Sequence, residues 1–435
     1  MKPRLLYVTH RVPWPPDRGD RIRTWNLLKF LAERADVDLL CLADEPVSSE
    51  TTEALQSVTR RLAVIPHSGR LRWIRGAASL AAGRTVTEGL FRNPAADAVI
   101  RTWCANTGYS AALASSSGVA RYVLPPVARG IRRVWIDLID VDSRKWLDYS
   151  RSSRFPMSLI YGLESRRLRR LECDLAKAVD RLLVVSEPEC DVFRSFCPQG
   201  PIQAIGNGVD TDYFSICPPT SDPPTADQNE NNVQPAAPKC VFVGVLNYLP
   251  NADAVVWFAD NVWPRLRKRF PSAEFDIVGK HPAPEVAALQ DRPGINVVGP
   301  VPDVRPYLQR ASCVVVPLRI ARGVQNKVLE AMSAGRPVVC SPAPLKGLEA
   351  AAVDGGSTAN DRDSLQAGKH LLKAETTEEW VEAVTAVFED AALAQELGTA
   401  AASWVRTHHR WEQCLSPLQE LLSYRPASQP QEVTT

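Results

Sequence analysis

Arg319, Arg322, Lys327 and Glu330 crowd into one stretch, CVVVPLRIARGVQNKVLEAMSAGRPVVCSP, between Cys313 and Pro342. Three cations beside a glycine are suited to an anion such as a diphosphate. Gly323 lets backbone approach a ligand closely, Val324 and Asn326 carry the chain into the helix, and a helix start favours negative charge. The Glu330 carboxylate accepts hydrogen bonds and cannot donate them, which suits the paired hydroxyls of a ribose or a sugar. The competing reading is a surface loop in which Glu330 offsets Lys327 or one of the arginines.

The elements that must hold these residues are legible around them. Cys313–Pro317 is a Val-rich run of buried-strand length. A helix is expected over Gln325–Ala334, closed by Gly335 with Pro337 just beyond, and a second buried strand over Pro337–Cys340. Strand, helix and strand make a βαβ unit with parallel strands and a right-handed crossover. Ligands in such sheets bind beyond the carboxyl ends of the strands, where the loop residues and Glu330 fall.

The whole chain has 435 residues, 45% hydrophobic and 23% charged, ordinary for two or more globular domains. A net charge of +2 does not argue for nucleic acid. The ten cysteines form no CxxC pair, and Cys41, Cys240, Cys313 and Cys340 lie in apolar runs, so buried free thiols in a reducing cytosol are expected. The opening MKPRLLYVTH reads as a strand and lacks a signal-peptide core, and no apolar run approaches the ~18 residues of a membrane span.

Strands are expected at Arg4–Thr9, Val37–Leu42, Leu62–Ile65, Ala111–Ala114, Val134–Asp140, Leu182–Ser186 and Ile202–Gly206, with helices between them. They define a doubly wound α/β half. Its first loop, HRVPWPPDRGDR, is stiffened by prolines, and Gly19 is expected to permit an unusual turn. A long helix over about Ser158–Ala178 carries Arg166, Arg167, Arg169 and Arg170. Residues 218–238 are rich in Pro, Asn and Thr, cannot bury a core, and read as a linker that tolerates shortening. A second α/β half opens at Cys240–Gly244 and has further strands at Glu274–Val278 and Ile295–Val298. Helices are expected over Glu378–Ala402 and Trp404–Leu422, then a loose polar tail from Pro426.

GVQNKVLEAMSAGRPVV resembles the donor-binding motif of family-four retaining glycosyltransferases. VTHRVPWPPDRGDRIRTWN and IDLIDVDSRKW are similar to the bacterial exosortase and PEP-CTERM-associated sugar transferases. The resemblance implies a GT-B-like fold of two Rossmann-like doubly wound α/β domains facing a cleft. It divides the chain into an acceptor-side domain over 1–214, ending in the NGVD segment at Asn207–Asp210, and a linker over 215–239. A nucleotide-sugar domain follows over 240–402, then a helix over 403–425 returning to the first domain and a tail over 426–435.

The same resemblance assigns roles. Glu330 holds the donor ribose, while Arg322 and Lys327 stabilise the leaving diphosphate. Arg319, Gly323, Val324, Asn326, Gly244 and Asn247 complete the donor side, with Asn251 and Gly279-Lys280 as neighbours. His10, Asp17, Gly19 and Asp20 line the acceptor side, against the alternative of a rigid surface turn. The chain departs from the family twice. Arg322 stands where a sugar-binding Glu is common, and GVLNYLPNAD after the Cys240–Gly244 strand lacks the usual phosphate-gripping Arg and Lys. A variant branch with a Gly-rich loop and a Lys before LEA resembles Gly323 and Lys327 more closely.

Asp140-Val141-Asp142 matches the loose DxD pattern of a different glycosyltransferase fold, but lies in the half opposite the donor motif. Asp140 and Asp142 are read as acceptor-side groups or as partners of Arg144 and Lys145. No metal or other cofactor is expected. The implied function is transfer of a sugar, with retention, from a nucleotide-sugar to a saccharide or lipid-linked acceptor in exopolysaccharide or cell-surface glycan synthesis. A nucleotide-sugar epimerase and a non-catalytic nucleotide-sugar sensor are the alternatives. The expected location is the cytoplasm, with peripheral contact to the inner face of a membrane left open. Leu71, Ile74, Ala78 and Ala81 share one helical face flanked by Arg70, Arg72 and Arg75, with Trp73 beside it. That face either meets lipid or packs on the sheet.

Overall fold

The computed structural model describes residues 2–215, 237–321, 323–351 and 364–423. Linker residues 216–236, Arg322 and the tail from 424 lie outside the described residues. Two parallel sheets organise the chain. The first contains β1 (Arg4–Thr9), β2 (Asp36–Ala43), β3 (Arg61–Pro66), β4 (Ala111–Ser115), β5 (Arg133–Ile139), β6 (Arg181–Val184) and β7 (Ile202–Ala204). Their order is β3-β2-β1-β4-β5-β6-β7, and Leu5 of β1 pairs with Val37 on one side and Ala111 on the other. From Leu5 to Thr9, β1 is wholly buried, as is β4, as expected for strands covered by helices on both faces.

The second sheet contains β8 (Lys239–Val243), β9 (Glu274–Val278), β10 (Ile295–Gly299), β11 (Cys313–Val316), β12 (Val338–Cys340) and β13 (Leu372–Lys373), in the order β10-β9-β8-β11-β12-β13. Alternation along β11 explains the double winding. Val314 and Val316 face a cluster with Val328, Leu329, Met332 and Trp404, whereas Cys313 and Val315 face one with Phe258, Trp263 and Trp380. Cys41, Cys240, Cys313 and Cys340 are buried free thiols.

Each sheet reverses its strand order once, between β1 and β4 in the first and between β8 and β11 in the second. Loops at such a reversal diverge and leave room for a ligand. His10 follows β1 directly, Gly244 follows β8, and Pro317–Gln325 follows β11. By internal contacts, one unit comprises the residues up to Val185, Glu189–Ile205 and those from Leu415. The other comprises Ser186–Pro188 and Gly206–Cys414.

Several local expectations give way. The NGVD segment packs within the second unit, not at the end of the first. Val209 N–H donates to His409 O at 2.7 Å, and Asn207 Nδ2 donates to Asn326 Oδ1 at 3.1 Å. That pairing, with a bridge from Val209 to Arg410, takes the chain out of helix after His408, so no continuous helix spans Trp404–Leu422. The Glu378–Ala402 expectation resolves into helices Thr377–Glu389 and Ala391–His408. Asp390 separates them by accepting from Leu393 N–H at 2.9 Å as the second helix's cap. Leu415 to Leu422 forms short turns in the first unit, where Arg133 donates to Ser423 O at 2.6 Å and to Glu420 O. Gly19 opens the Gly19–Arg34 helix, is absent from the positive-φ glycines, and an added Cβ there would meet nothing within 4 Å, so no unusual turn needs it.

Candidate functional site

The site in the second unit is built where β8 and β11 end. The Asn326–Ser333 helix begins just after β11 and ends at Gly335, which takes φ +64 and lets Arg336 N–H return to Ala331 O at 3.1 Å. Gly323 takes φ +55, and the loop is seated by the helix Pro342–Ala351. A Cβ on Gly347 there would stand 2.2 Å from Gly323 O. Val324, 8% exposed, anchors the loop in the core. Asn326 Oδ1 is held by Asn207, and its Nδ2 is buried without a partner.

Lys327 lies in the helix's first turn. Its Nζ donates to Asn251 Oδ1 at 2.6 Å and stands 4.6 Å from the centre of the Phe242 ring. Asn251 is itself oriented by donating Nδ2 to Val245 O at 2.9 Å. Gly244 makes this packing feasible, since a Cβ there would fall 2.9 Å from Asn251 Nδ2 and 3.1 Å from Lys327 Nζ. Burial pushes the Lys327 ammonium down to about 7, with the nearby Glu330 charge acting in the opposite direction. Burial likewise pushes the Glu330 carboxyl up to about 7, opposed by Lys327. Among the described residues no group donates a hydrogen bond to the Glu330 carboxylate. A polar pair held this way in a low-dielectric setting gains most when a ligand supplies the missing partners.

The other donor-side residues are placed differently. Arg319 clamps Asp253 with both sides of its guanidinium, Nε to Oδ2 at 2.9 Å, on an exposed face beside the Leu249–Asn261 helix. Asn247 is exposed in the turn before that helix. Arg322 lies outside the described residues. The structure therefore brings together Gly244, Asn251, Asn326, Lys327 and Glu330, and turns the Arg319 guanidinium to a protein carboxylate.

In the first unit, His10 Nδ1–H donates to Ser115 O at 3.0 Å across the β1/β4 reversal, and its Nε2 lies 3.6 Å from Asp20. Asp20 also receives Arg11 at 2.6 Å and Arg18 at 3.2 Å. Burial alone would raise its carboxyl, but His10, Arg11 and Arg18 hold it well below the usual carboxylate range. Asp17 turns to Arg21, 3.3 Å away. Beyond β5, Asp142 accepts from Ser117 Oγ at 3.0 Å, and Arg144 pairs with Asp148 at 3.6 Å.

Two carboxylates behind that loop were missed by sequence reasoning. Glu189 accepts from Val141 N–H at 2.8 Å and Glu172 from Ser143 N–H at 2.9 Å. Burial, then the charge of Asp140, raises Glu189 to about 7, and burial raises Glu172 to about 8. A signal existed for Glu172, which falls in phase with the buried Leu168 and Leu175. Among the described residues no group of three or more His, Cys, Asp or Glu is arranged to hold a metal ion. No helix among them is long and apolar enough to cross a membrane.

Residues 237–390 match the family model described as Glycosyl transferases group 1. No curated protein sequence matches the chain. Among solved structures, a sucrose-phosphate synthase from Thermosynechococcus elongatus superposes with a TM-score of 0.66 at 16% identity, covering 97% of this chain and 98% of that one. Anabaena HepE in complex with UDP gives 0.62 at 13% identity, covering 97% and 99%. WaaG, a glycosyltransferase involved in lipopolysaccharide biosynthesis, gives 0.62 at 12%, covering 97% and 100%. These likenesses and the two doubly wound sheets define the fold as GT-B.

Proposed function

We propose that the chain is a retaining glycosyltransferase that takes its sugar from a nucleotide-sugar bound by the second unit and passes it to a saccharide or lipid-linked acceptor at the first. The observation that carries this reading is Lys327. It is a lysine in the first turn of a helix, at a strand-order reversal, held by a neutral amide and an aromatic face, with the nearby Glu330 the larger charge acting against its burial. A diphosphate is the anion such a group fits. In the transition state the sugar–phosphate bond lengthens and negative charge collects on the departing diphosphate. The Lys327 ammonium and the helix's first N–H groups oppose that charge, and Arg322 adds to them by its place in the sequence. Glu330 accepts from the ribose hydroxyls. No protein nucleophile is assigned.

Donor binding is proposed to be metal-independent, because Lys327 supplies positive charge where a cation would otherwise act. Activity abolished by a chelator and restored by Mn²⁺ contradicts this and returns Asp140 and Asp142 to consideration as ligands. HepE is described in complex with UDP-glucose, so that donor is the first to test. Resemblance to exosortase-associated transferases directs the acceptor search to exopolysaccharide and cell-surface glycan intermediates. Incubation with a panel of labelled nucleotide-sugars decides between readings. Transfer to an acceptor supports the proposal. Isomerised donor shows an epimerase, and binding without turnover shows a sensor, the reading favoured by Arg322 and the missing phosphate-gripping pair.

A further inference from the structure

The apolar face of the Leu71–Ala81 helix does not pack on the sheet. Leu71 is 64% exposed, Trp73 60% and Ile74 63%. The helix is held instead by its small residue. Gly76 is buried, and a Cβ on Gly89 of the following Val86–Phe91 helix would lie 2.8 Å from the Gly76 Cα. The same unit exposes a second apolar group at the start of the Met157–Ala178 helix, where Phe155 is 81% and Leu159 67% exposed. The two helices are tied together. Arg167 donates to Leu80 O at 2.6 Å and Arg84 O at 2.8 Å, and Glu164 receives Val86 N–H at 2.7 Å.

Charge is segregated onto the same segments. Residues 68–87 carry four arginines and no acid, and residues 144–170 carry eight basic and two acidic residues. That is a local net of +10 in a chain whose total is +2, leaving −8 for all the rest. Large apolar side chains bracketed by arginines of one sign are what an interfacial surface requires. The rings and aliphatic tips enter the acyl boundary while the guanidinium groups stay with anionic headgroups. A nucleic acid would need the charge but not exposed Leu, Ile and Phe. Where the Asp142–Ser152 helix lies on its neighbour, Trp146 and Tyr161, 5.2 Å apart, add amphipathic rings of the kind that settle at headgroup level.

We infer that this face of the first unit docks on an anionic lipid bilayer, seating the enzyme at the surface where a lipid-linked acceptor would lie. The inference rests on exposed residues of one unit and is tested without any donor. The full chain is sedimented with vesicles of phosphatidylcholine alone or mixed with phosphatidylglycerol, at low and high salt. The comparison protein carries Leu71→Ser, Trp73→Ser and Ile74→Ser together, all exposed positions, with its melting temperature as the fold control. The expected result is binding to the anionic vesicles that weakens with salt and falls about tenfold or more in the triple variant at unchanged melting temperature. Absence of binding at low salt overturns the inference. So does binding that the triple variant retains and heparin competes away, since that marks a charge-only site for polyanions.

Discussion

Lys327 and Glu330 are each perturbed by burial and partly restored by the other, so their response to ligand and to pH is coupled. A bound diphosphate favours charged Lys327, which otherwise loses its proton near pH 7. UDP affinity, measured by calorimetry, is therefore expected to fall as pH rises above about 7, by up to about tenfold per unit, with proton uptake on binding. The stability sign runs the other way. Unfolded lysine keeps its proton to about pH 10.4, so between about 7 and 10 the unfolded state binds more protons and this site's contribution to stability grows with pH. Lys327→Met removes a buried charge. It should lower UDP affinity about tenfold or more while leaving the melting temperature at pH about 7 unchanged or higher. A variant that simply unfolds would show Lys327 to be structural. Glu330→Gln should weaken nucleotide-sugar binding about tenfold without loss of fold, because an amide fills the same space but loses the charge-assisted acceptor. Unchanged affinity in a titration removes the ribose assignment.

Elements hold these residues through close backbone approaches. Gly279, after β9, stands against the Gly244 turn, and a Cβ there would fall 1.6 Å from Gly244 O. Gly279→Ala must displace that turn. It should cost more than about 2 kcal/mol in denaturant unfolding and weaken UDP binding with it. In the Met157–Ala178 helix, Glu172 is buried with one carboxylate oxygen unpartnered, and its carboxyl is raised to about 8. Here the folded state binds more protons than the unfolded between about 4.5 and 8, so stability is lost as pH rises through that window. Glu172→Gln should raise the melting temperature at pH 8 more than at pH 5. An equal shift at both values would remove the protonation account.

For the whole molecule, the path of the chain matters more than any one element. Leu415, Leu418 and Leu421 are buried in the first unit although they follow the last helix of the second in sequence. Burying each stabilises by about 2 kcal/mol before entropy is set against it. A chain ending at Cys414 should therefore lose stability in its first unit, read as an earlier melting transition, while UDP affinity of the second unit is retained. Loss of both together would show that the second unit depends on the first.

The βαβ unit around Glu330 was legible in the sequence because its signals are local. A Val-rich run, a helix stopped by Gly335 and Pro337, and a cation in the first turn all act over a few residues. The two doubly wound halves followed from strand recurrence for the same reason. What the sequence could not assign was the company each side chain keeps. Arg319 and Lys327 are both cations near one loop, yet Arg319 meets Asp253 and Lys327 meets Asn251 and Phe242, partners remote in sequence. Leu71, Ile74, Ala78 and Ala81 show the periodicity of a buried face, but Gly76 and Gly89 bring the helix to its neighbour on the other side and leave Leu71 and Ile74, with Trp73 beside them, in solvent. The Trp404–Leu422 pattern is helical locally, but pairing with Val209 breaks it. Periodicity specifies which residues share a face. Only the tertiary packing decides what that face meets, because the deciding contacts join residues that the chain order keeps apart.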